Sequence, residues 1–195
     1  MKKLIVALAL GSFIAAMQAQ ELPLYPKVKL KTNRGDIVLK LDTARAPITV
    51  YNFLNYVNSG HYDGTIFHRV IPGFMIQGGG YATDYSEIPT NDPIPNESGN
   101  GLSNQPGTIA MARTNLPHTA TSQFFINVSD NLKLDPKPSR WGYTVFGTVV
   151  DGMDVVDAIA AIPTGPGGPF PTDVPQSMVI INKATVMVQK ATRQE

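Results

Sequence analysis

YDGTIFHRVIPGFMIQGGG, residues 62–80, is the stretch on which the interpretation of the fold depends. It places Arg69 inside an apolar strand pattern and follows this strand with a turn at Pro72 and Gly73. A guanidinium has five N–H donors and stays protonated, so burying it without partners is very costly. We therefore expect Arg69 either to be satisfied inside the protein or to face the oxygen of a ligand.

Alternation of apolar and polar side chains on both sides of this stretch predicts a β-rich chain. In residues 27–32, a valine and a leucine alternate with three lysines, which is typical of a half-buried strand. Residues 33–36 predict a turn into a second strand at 37–41. The segment 81–106, rich in Asn, Pro, Gly and Ser, is long enough to predict a functional or mobile loop. Further strands are predicted at 65–71, 74–77, 108–112, 123–128, 144–149 and 178–188.

Two helices are predicted between the strands. Pro47 suits a first helical turn, apolar residues recur at helical spacing up to Val57, and Gly60 can end the segment. A second helix is predicted at 153–160, before Pro163. Eight strands and two helices predict a mainly β fold, a closed eight-stranded antiparallel β-barrel capped by two α-helices. Because the interior of such a barrel just holds its own side chains, we expect a functional site on the outer wall.

The first residues have the pattern of a secretory signal peptide. Lys2 and Lys3 precede an apolar run over residues 4–16, and residues 17–19 form a cleavage site that ends in alanine. The run is shorter than the ~20 residues that a membrane span requires. We therefore expect export to the periplasm, with a signal peptide at 1–19, an N-terminal leader at 20–26, a domain at 27–190 and a tail at 191–195.

Composition limits the classes of partner. After removal of residues 1–19, 14 basic and 15 acidic side chains remain, so the net charge changes from +1 to −1. Nucleic acids and anionic membranes are bound by basic surfaces, and no cluster of lysine and arginine predicts such a surface. The chain has no cysteine, so we expect its stability to come from a packed core. We expect a monomer that binds neither nucleic acid nor a membrane.

Other common chemistries lack their motifs. His61, His68 and His118 are the only histidines and are not spaced as metal ligands, so neither a metal nor a cofactor is expected. No Gly-x-Ser-x-Gly pattern indicates a serine nucleophile. The three glycines at 78–80 do not begin a phosphate-binding pattern, and we interpret them as a flexible strand end.

Three blocks of sequence carry a family resemblance. They are FHRVIPGFMIQGG at 67–79, GTIAMAR at 107–113 and SQFFIN at 122–127. In this order they closely resemble the signature blocks of the cyclophilin family of peptidyl-prolyl isomerases, and the exported, cysteine-free chain resembles its bacterial periplasmic members. The resemblance covers residues 28–188. It implies the family's eight-stranded barrel with two helices, which agrees with the strand patterns.

The resemblance implies a role for ten residues. Arg69 would be the catalytic guanidinium, beside a set of pocket residues and a set that holds the peptide next to the proline. The pocket set comprises Phe74, Met75, Phe125, Leu134 and Tyr143, and the peptide-holding set comprises Gln77, Gln123, Ala112 and Arg113.

Strand alternation supports this placement. Met75 and Gln77 are two residues apart, as are Gln123 and Phe125, so each pair shares one face of its strand, whereas Phe124 points into the barrel. Taken singly, such apolar residues are more often core residues than pocket residues. The interpretation therefore depends on their order and spacing.

Three features depart from the family pattern. Lys133 stands where many members carry an aromatic residue, Tyr143 stands where many carry histidine, and residues 113–120 are one residue longer than usual. Two functions stay open at this point. The chain is either a peptidyl-prolyl isomerase that assists the folding of exported, proline-containing polypeptides, or a proline-peptide-binding module or holdase chaperone with little turnover.

Overall fold

A computed structural model of the chain describes residues 23–187. The predicted signal peptide at 1–19, the first leader residues, the last three residues of the predicted domain at 188–190 and the tail at 191–195 lie outside the described residues. The last leader residues run beside the second strand, where the backbone N–H of Leu41 donates to the carbonyl oxygen of Pro26 at 2.9 Å.

The described chain contains eleven strands, two α-helices and a short 3-10 helix at Leu132–Leu134. Nine of the strands form one antiparallel sheet. The elements are β1 (Lys27–Thr32), β2 (Gly35–Leu41), α1 (Pro47–Asn58), β3 (Thr65–Ile66), β4 (Arg69–Ile71), β5 (Met75–Gly78), β6 (Thr108–Met111), β7 (Phe124–Asn127), β8 (Val145–Asp151), α2 (Met153–Ala160), β9 (Thr164–Gly167), β10 (Phe170–Pro175) and β11 (Ile180–Met187).

The large sheet has the strand order β3-β11-β1-β2-β8-β6-β7-β5-β4. Its two edge strands, β3 and β4, are neighbours in the chain and are separated only by Phe67 and His68. If β3 and β4 are counted as one bent strand, the sheet has the eight strands that were predicted. The mainly β architecture with two helices is confirmed. Within residues 23–187 no hydrogen-bonded ladder joins β3 to β4, so the closed barrel is only approximate.

A second, two-stranded sheet pairs β9 with β10 and was not predicted. Seven of the twelve residues from 164 to 175 are glycine or proline, which are depleted in strands, so this segment has no strand pattern. The pairing is interrupted, with Phe170 opposite Gly167, Val174 opposite Gly165 and a shift of register between them. This hairpin lies beside the functional site described below.

The inner row of the large sheet fills the barrel. In four neighbouring strands the inward-facing residues lie in register and are fully buried: Val70, Ile76, Ile126 and Ile109. Phe124 points inward as predicted, and its ring centroid lies 5.6 Å from that of Phe53 on α1. A packed interior of this kind leaves the outer wall for a site.

The glycines at 78–80 are required by close packing, and the interpretation of a flexible strand end was wrong. All three are buried. A Cβ atom on Gly79 would lie 2.8 Å from the ring of Tyr62, and one on Gly80 would lie 2.5 Å from the side chain of Gln123. Gly79 also has a φ of 85°, in the left-handed region that favours glycine.

A glutamate from the long loop at 81–106 caps the first helix. The α1 N-cap residue, Ala46, makes no side-chain cap. Instead, Glu97 accepts hydrogen bonds from the backbone N–H groups of Ile48 at 3.1 Å and Thr49 at 2.8 Å, and from the Thr49 hydroxyl at 2.7 Å. A carboxylate is favourable at a helix N-terminus, so this contact stabilises α1 and ties the loop to it.

The second helix has its predicted bounds. α2 buries Val156 and Ile159 against the core, and it ends at Ala160, before Pro163. Within residues 23–187, no helix combines the length and the apolar character that a membrane crossing would need.

His68 is buried where the two edge strands meet. Its ring centroid lies 4.7 Å from that of Tyr81 and 5.5 Å from that of Phe170. No hydrogen-bond partner for its Nδ1 atom is found in the described part of the chain. Burial and, to a lesser extent, the neighbouring Arg69 cation together lower the pKa of His68 from 6.5 to about 4, against the opposing effect of a hydrogen bond to the backbone of Ile66. The ring is therefore neutral near pH 7.

We predict that Glu97→Ala lowers the free energy of unfolding by about 1–2 kcal/mol, because a capping side chain contributes about this much to a helix. Urea denaturation followed by circular dichroism measures the change. Glu87→Ala is the matched control, since this glutamate lies in the same loop without bonding to α1. An equal loss in the two variants would contradict the capping role.

We predict that His68 makes the protein less stable as the pH falls from 6.5 towards 4. The folded-state pKa lies below the unfolded value, so in this range the unfolded chain binds a proton that the folded chain does not. The loss attributable to this group is about 3 kcal/mol at pH 4. The measurement compares denaturation of the wild type and His68→Gln at several pH values. An identical pH dependence in the two proteins would refute the prediction.

Candidate active site

All ten residues assigned by resemblance line one pocket on the outer wall, with a volume of about 670 Å³. We call it the Arg69 pocket. The residues that were predicted are Arg69, Phe74, Met75, Gln77, Ala112, Arg113, Gln123, Phe125, Leu134 and Tyr143. The residues that were not predicted are His68, Tyr81, Phe170, Pro171, Thr172 and Asp173.

The outer row of the large sheet carries the pocket. Arg69 pairs with Gln77, Gln77 with Phe125, and Phe125 with Ala110. Because side chains alternate along a strand, this row faces away from the inner row that fills the barrel. Met75, two residues before Gln77, shares its face, as the alternation predicted.

Arg69 is held by two long contacts. Its Nε donates to Oδ2 of Asp173 at 3.4 Å, and its Nη1 donates to Oε1 of Gln77 at 3.4 Å. The side chain is 43% exposed. A guanidinium has five N–H donors, so with these two acceptors three donors are available to a ligand in the pocket.

A chain of amide groups continues from this arginine. The Gln77 side chain accepts from Arg69 and donates through Nε2 to Oε1 of Gln123 at 3.0 Å. The Gln123 side chain lies where a Cβ atom on residue 80 would be, so Gly80 leaves room for it. The absence of a side chain at Gly80 therefore allows the two glutamines to bond to each other along the pocket wall.

An apolar floor lies beside these polar groups. Met75 and Phe125 are 2% and 4% exposed, and Phe74, Leu134 and Tyr143 pack against their cluster from the rim. The rings of Phe125 and Tyr143 meet edge to face, with centroids 5.7 Å apart and planes at 76°. The floor thus offers a preformed apolar surface to a small apolar group.

The second arginine of the pocket is bound very differently from Arg69. Arg113 donates to the carbonyl oxygens of Gly142 at 3.1 Å, Trp141 at 2.8 Å and Thr114 at 2.8 Å. Its guanidinium carbon lies 4.4 Å from the ring centroid of Tyr143. Arg113 therefore braces the rim of the pocket, whereas Arg69 keeps donors for a ligand.

A buried network of amides joins two distant parts of the pocket. The Asn131 side chain donates to the carbonyl oxygen of Phe74 at 2.8 Å and to Oδ1 of Asn127 at 2.7 Å. Asn127 in turn donates to Oδ1 of Asn104 at 3.2 Å, and Asn104 donates to Oδ1 of Asp135 at 2.8 Å. Because Asp135 directly follows a pocket residue, the network couples the segment around residue 74 to the one around residue 134.

Lys133, which departs from the family pattern, lies next to the pocket. Its Nζ atom is 4.9 Å from the ring centroid of Phe74, which is within range of a cation–π contact. This rim therefore carries a positive charge at a position where many family members carry an aromatic ring.

Most of the missed pocket residues come from segments without a periodic pattern. Phe170 and Asp173 lie in β10, in the segment where glycine and proline dominate. His68 lies inside the first recognised block, where it was weighed only as a metal ligand, and Tyr81 follows that block by two residues. No signal in a single sequence identifies Asp173 as a neighbour of Arg69.

The arrangement suits binding and polarising an amide. A guanidinium with available donors stands next to an apolar floor, so a ligand can place an apolar group on the floor and an oxygen or nitrogen lone pair against Arg69. The lining residues include no serine, cysteine or lysine within the described chain. A charged N–H donor beside an apolar surface can act on such a ligand through hydrogen bonding and desolvation.

Comparisons with known proteins identify the relatives of this chain. A family model described as cyclophilin type peptidyl-prolyl cis-trans isomerase/CLD matches residues 27–186. Peptidyl-prolyl cis-trans isomerase cyp18 of Streptomyces antibioticus is 56% identical over 163 residues, which cover 82% of this chain and 98% of that protein. Peptidyl-prolyl cis-trans isomerase B of Escherichia coli is 54% identical over 162 residues, which cover 82% and 98% respectively.

A solved structure is also similar. The crystal structure of a cyclophilin type peptidyl-prolyl cis-trans isomerase from Cryptosporidium parvum has a TM-score of 0.69 and 27% identity, covering 85% of this chain and 99% of that one. Another crystal structure of the parasite protein, in the presence of the dipeptide Ala-Pro, has a TM-score of 0.69 and 28% identity, with 84% and 99% covered. The sequence blocks, the barrel and these similarities together show that the chain belongs to the family of cyclophilin-type peptidyl-prolyl cis-trans isomerases.

Proposed function

We propose that this peptidyl-prolyl cis-trans isomerase acts on X-Pro bonds of exported polypeptides and that Arg69 is its catalytic group. The observation that carries the proposal is the position of Arg69, which has two protein acceptors and faces a pocket with an apolar floor. The parasite protein was crystallised in the presence of the dipeptide Ala-Pro, which supports a proline-containing ligand for this chain.

The chemistry explains why a guanidinium is useful. An X-Pro amide isomerises by twisting about its C–N bond, against a barrier of about 18–20 kcal/mol. In the twisted state the proline nitrogen becomes pyramidal and carries a lone pair, which an N–H donor of Arg69 can meet. One charge-assisted hydrogen bond contributes about 1.5–3 kcal/mol, or roughly 10- to 150-fold in rate if it forms only in the transition state.

The apolar floor supplies further catalysis. Met75, Phe125 and Phe74 hold the proline ring and exclude water from one side of the amide, which strengthens the polar contacts made there. Gln77, Gln123 and the backbone near Ala112 hold the peptide chain on the other side of the bond. Fixing one part of the amide while the other rotates lowers the entropic cost of the twisted state.

The exported location of the substrates is proposed from the N-terminal sequence. Residues 1–19 have the charged start, apolar run and small-residue cleavage site of a signal peptide. In a compartment outside the cytoplasm, newly exported chains fold with slow prolyl isomerisation as one of their steps. An isomerase that is exported with these chains would accelerate this step. At the rim of the pocket, Lys133, Arg113 and Tyr143 would contact the residues that flank the proline.

We predict that Arg69→Ala lowers kcat/KM at least about 10-fold and up to about 150-fold, because one charge-assisted hydrogen bond is lost. A protease-coupled assay on a proline-containing tetrapeptide measures the change. Arg34→Ala is the matched control, since this arginine bonds to Ser177 outside the pocket. We expect the control to retain full activity.

The Arg69 experiment has three distinguishable outcomes. Loss of activity with an unchanged circular dichroism spectrum supports Arg69 as the catalytic group. Full activity in Arg69→Ala would refute that role. Peptide affinity without turnover in the wild type would favour the binding module or holdase instead.

We predict that cells expressing the full chain process it during export. N-terminal sequencing of the protein from a periplasmic extract should then begin at Gln20, because residues 17–19 form the predicted cleavage site. Replacing both Lys2 and Lys3 by Glu should retain the precursor inside the cell, since the charged start is lost. Recovery of the unprocessed chain only from the cytoplasmic fraction would refute export.

A further inference from the structure

Asp173 forms an ion pair with Arg69, and both residues line the Arg69 pocket. The Nε···Oδ2 distance is 3.4 Å, and the two side chains are 43% and 34% exposed. An exposed pair with this geometry contributes little to stability. We therefore ask how the ion pair affects the orientation of the Arg69 side chain.

The backbone at Asp173 has an uncommon conformation. Its φ is 67°, in the left-handed region, and it lies in β10 between Phe170 and Val174, where the pairing with β9 shifts register. Aspartate is among the few non-glycine residues that enter this region with some ease. Such strained residues and bulges are over-represented next to active sites, where they aim a side chain.

The residues on both sides of the bulge are anchored. Before it, the ring of Phe170 lies 5.1 Å from that of Tyr81 and 5.5 Å from that of His68, between centroids. After it, Val174 is 2% exposed and its carbonyl oxygen accepts a hydrogen bond from the Gln176 side chain at 3.1 Å. The carboxylate therefore extends from a supported segment towards Arg69.

The two acceptors of Arg69 hold its guanidinium at two points. Asp173 accepts from Nε, and Gln77 accepts from Nη1. Two directional hydrogen bonds at different nitrogens restrict how the planar group can turn while its other donors remain available beside the pocket. With Gln77 alone, the half-exposed side chain can rotate and swing towards solvent.

We infer that Asp173 is a positioning residue for the isomerase reaction, which orients the Arg69 guanidinium through its ion pair and owes its own orientation to the left-handed bulge in β10. This inference rests on the proposed catalytic role of Arg69. It assigns a function to the β9–β10 hairpin, which supplies no other charged side chain to the pocket among the described residues.

Asp173→Gly tests the inference without straining the backbone, because glycine adopts a φ of 67° readily. We expect kcat to fall about 2- to 5-fold, the upper part of the range that corresponds to losing an exposed ion pair. KM should change less, because the apolar floor is intact. Asp173→Asn keeps an acceptor and tolerates the left-handed backbone, so it should lose less activity than the glycine variant.

Ionic strength separates a positioning ion pair from a merely structural residue. Salt shortens the screening length from about 30 Å at 0.01 M to about 3 Å at 1 M. The kcat of the wild type should fall with salt towards that of Asp173→Gly, whose kcat should stay nearly constant. Asp36→Asn is the matched control, since it removes another half-exposed aspartate, paired with Lys29 outside the pocket, and should leave kcat and its salt dependence unchanged.

A double-mutant cycle with Arg69→Ala completes the test. If Asp173 acts through Arg69, Asp173→Gly causes no further loss in the Arg69→Ala background. Wild-type kcat in Asp173→Gly, together with reduced activity in Arg69→Ala, would overturn the inference and leave the proposed function intact. Full activity in Arg69→Ala would overturn the proposed function itself. Additive losses would show that Asp173 acts independently of Arg69 and would also overturn the inference.

Discussion

The packed interior of the barrel is the constraint on which the rest of the structure depends. Because residues such as Ile76, Phe124 and Ile126 fill the interior, a ligand has no room there, and the groups that meet it must stand on the outer wall. In β5 and β7, side chains alternate between the barrel interior and the pocket on the outer wall. The position of Arg69 opposite Gln77 thus depends on register, and a slip of one residue would exchange the two faces.

The parts of the protein that follow from periodicity could be predicted from sequence. Alternation at 27–41 indicated β1 and β2 nearly to their ends, and helical spacing after Pro47 indicated α1. The same rule separated Phe124 from Phe125, one in the core and one in the pocket. The ten pocket residues themselves came from the resemblance, because alternation puts Phe124 and Phe125 on opposite faces of a strand without showing which face binds a ligand.

Other parts depend on contacts between distant segments and could not be predicted. The β9–β10 hairpin is held by its packing against Tyr81 and His68 rather than by strand propensity, so Asp173 gave no signal. The helix cap at Thr49 comes from Glu97, which no local capping pattern reveals. The sequence led to the interpretation of Gly79 and Gly80 as a flexible strand end. It does not show that the side chains of Tyr62 and Gln123 occupy the space that a Cβ atom on these two residues would need.

The division of the sheet into an inner and an outer row places different limits on the two sets of residues. A change at Ile126 or Ile109 alters the volume of a close-packed interior and disturbs its neighbours. A change at rim positions such as Lys133 or Tyr143 alters the charge and shape that a peptide meets, while the interior stays as it is. In evolutionary terms, substrate preference and fold stability can therefore vary almost independently in this protein, since Lys133 and Tyr143 lie outside the strands whose inner row fills the barrel.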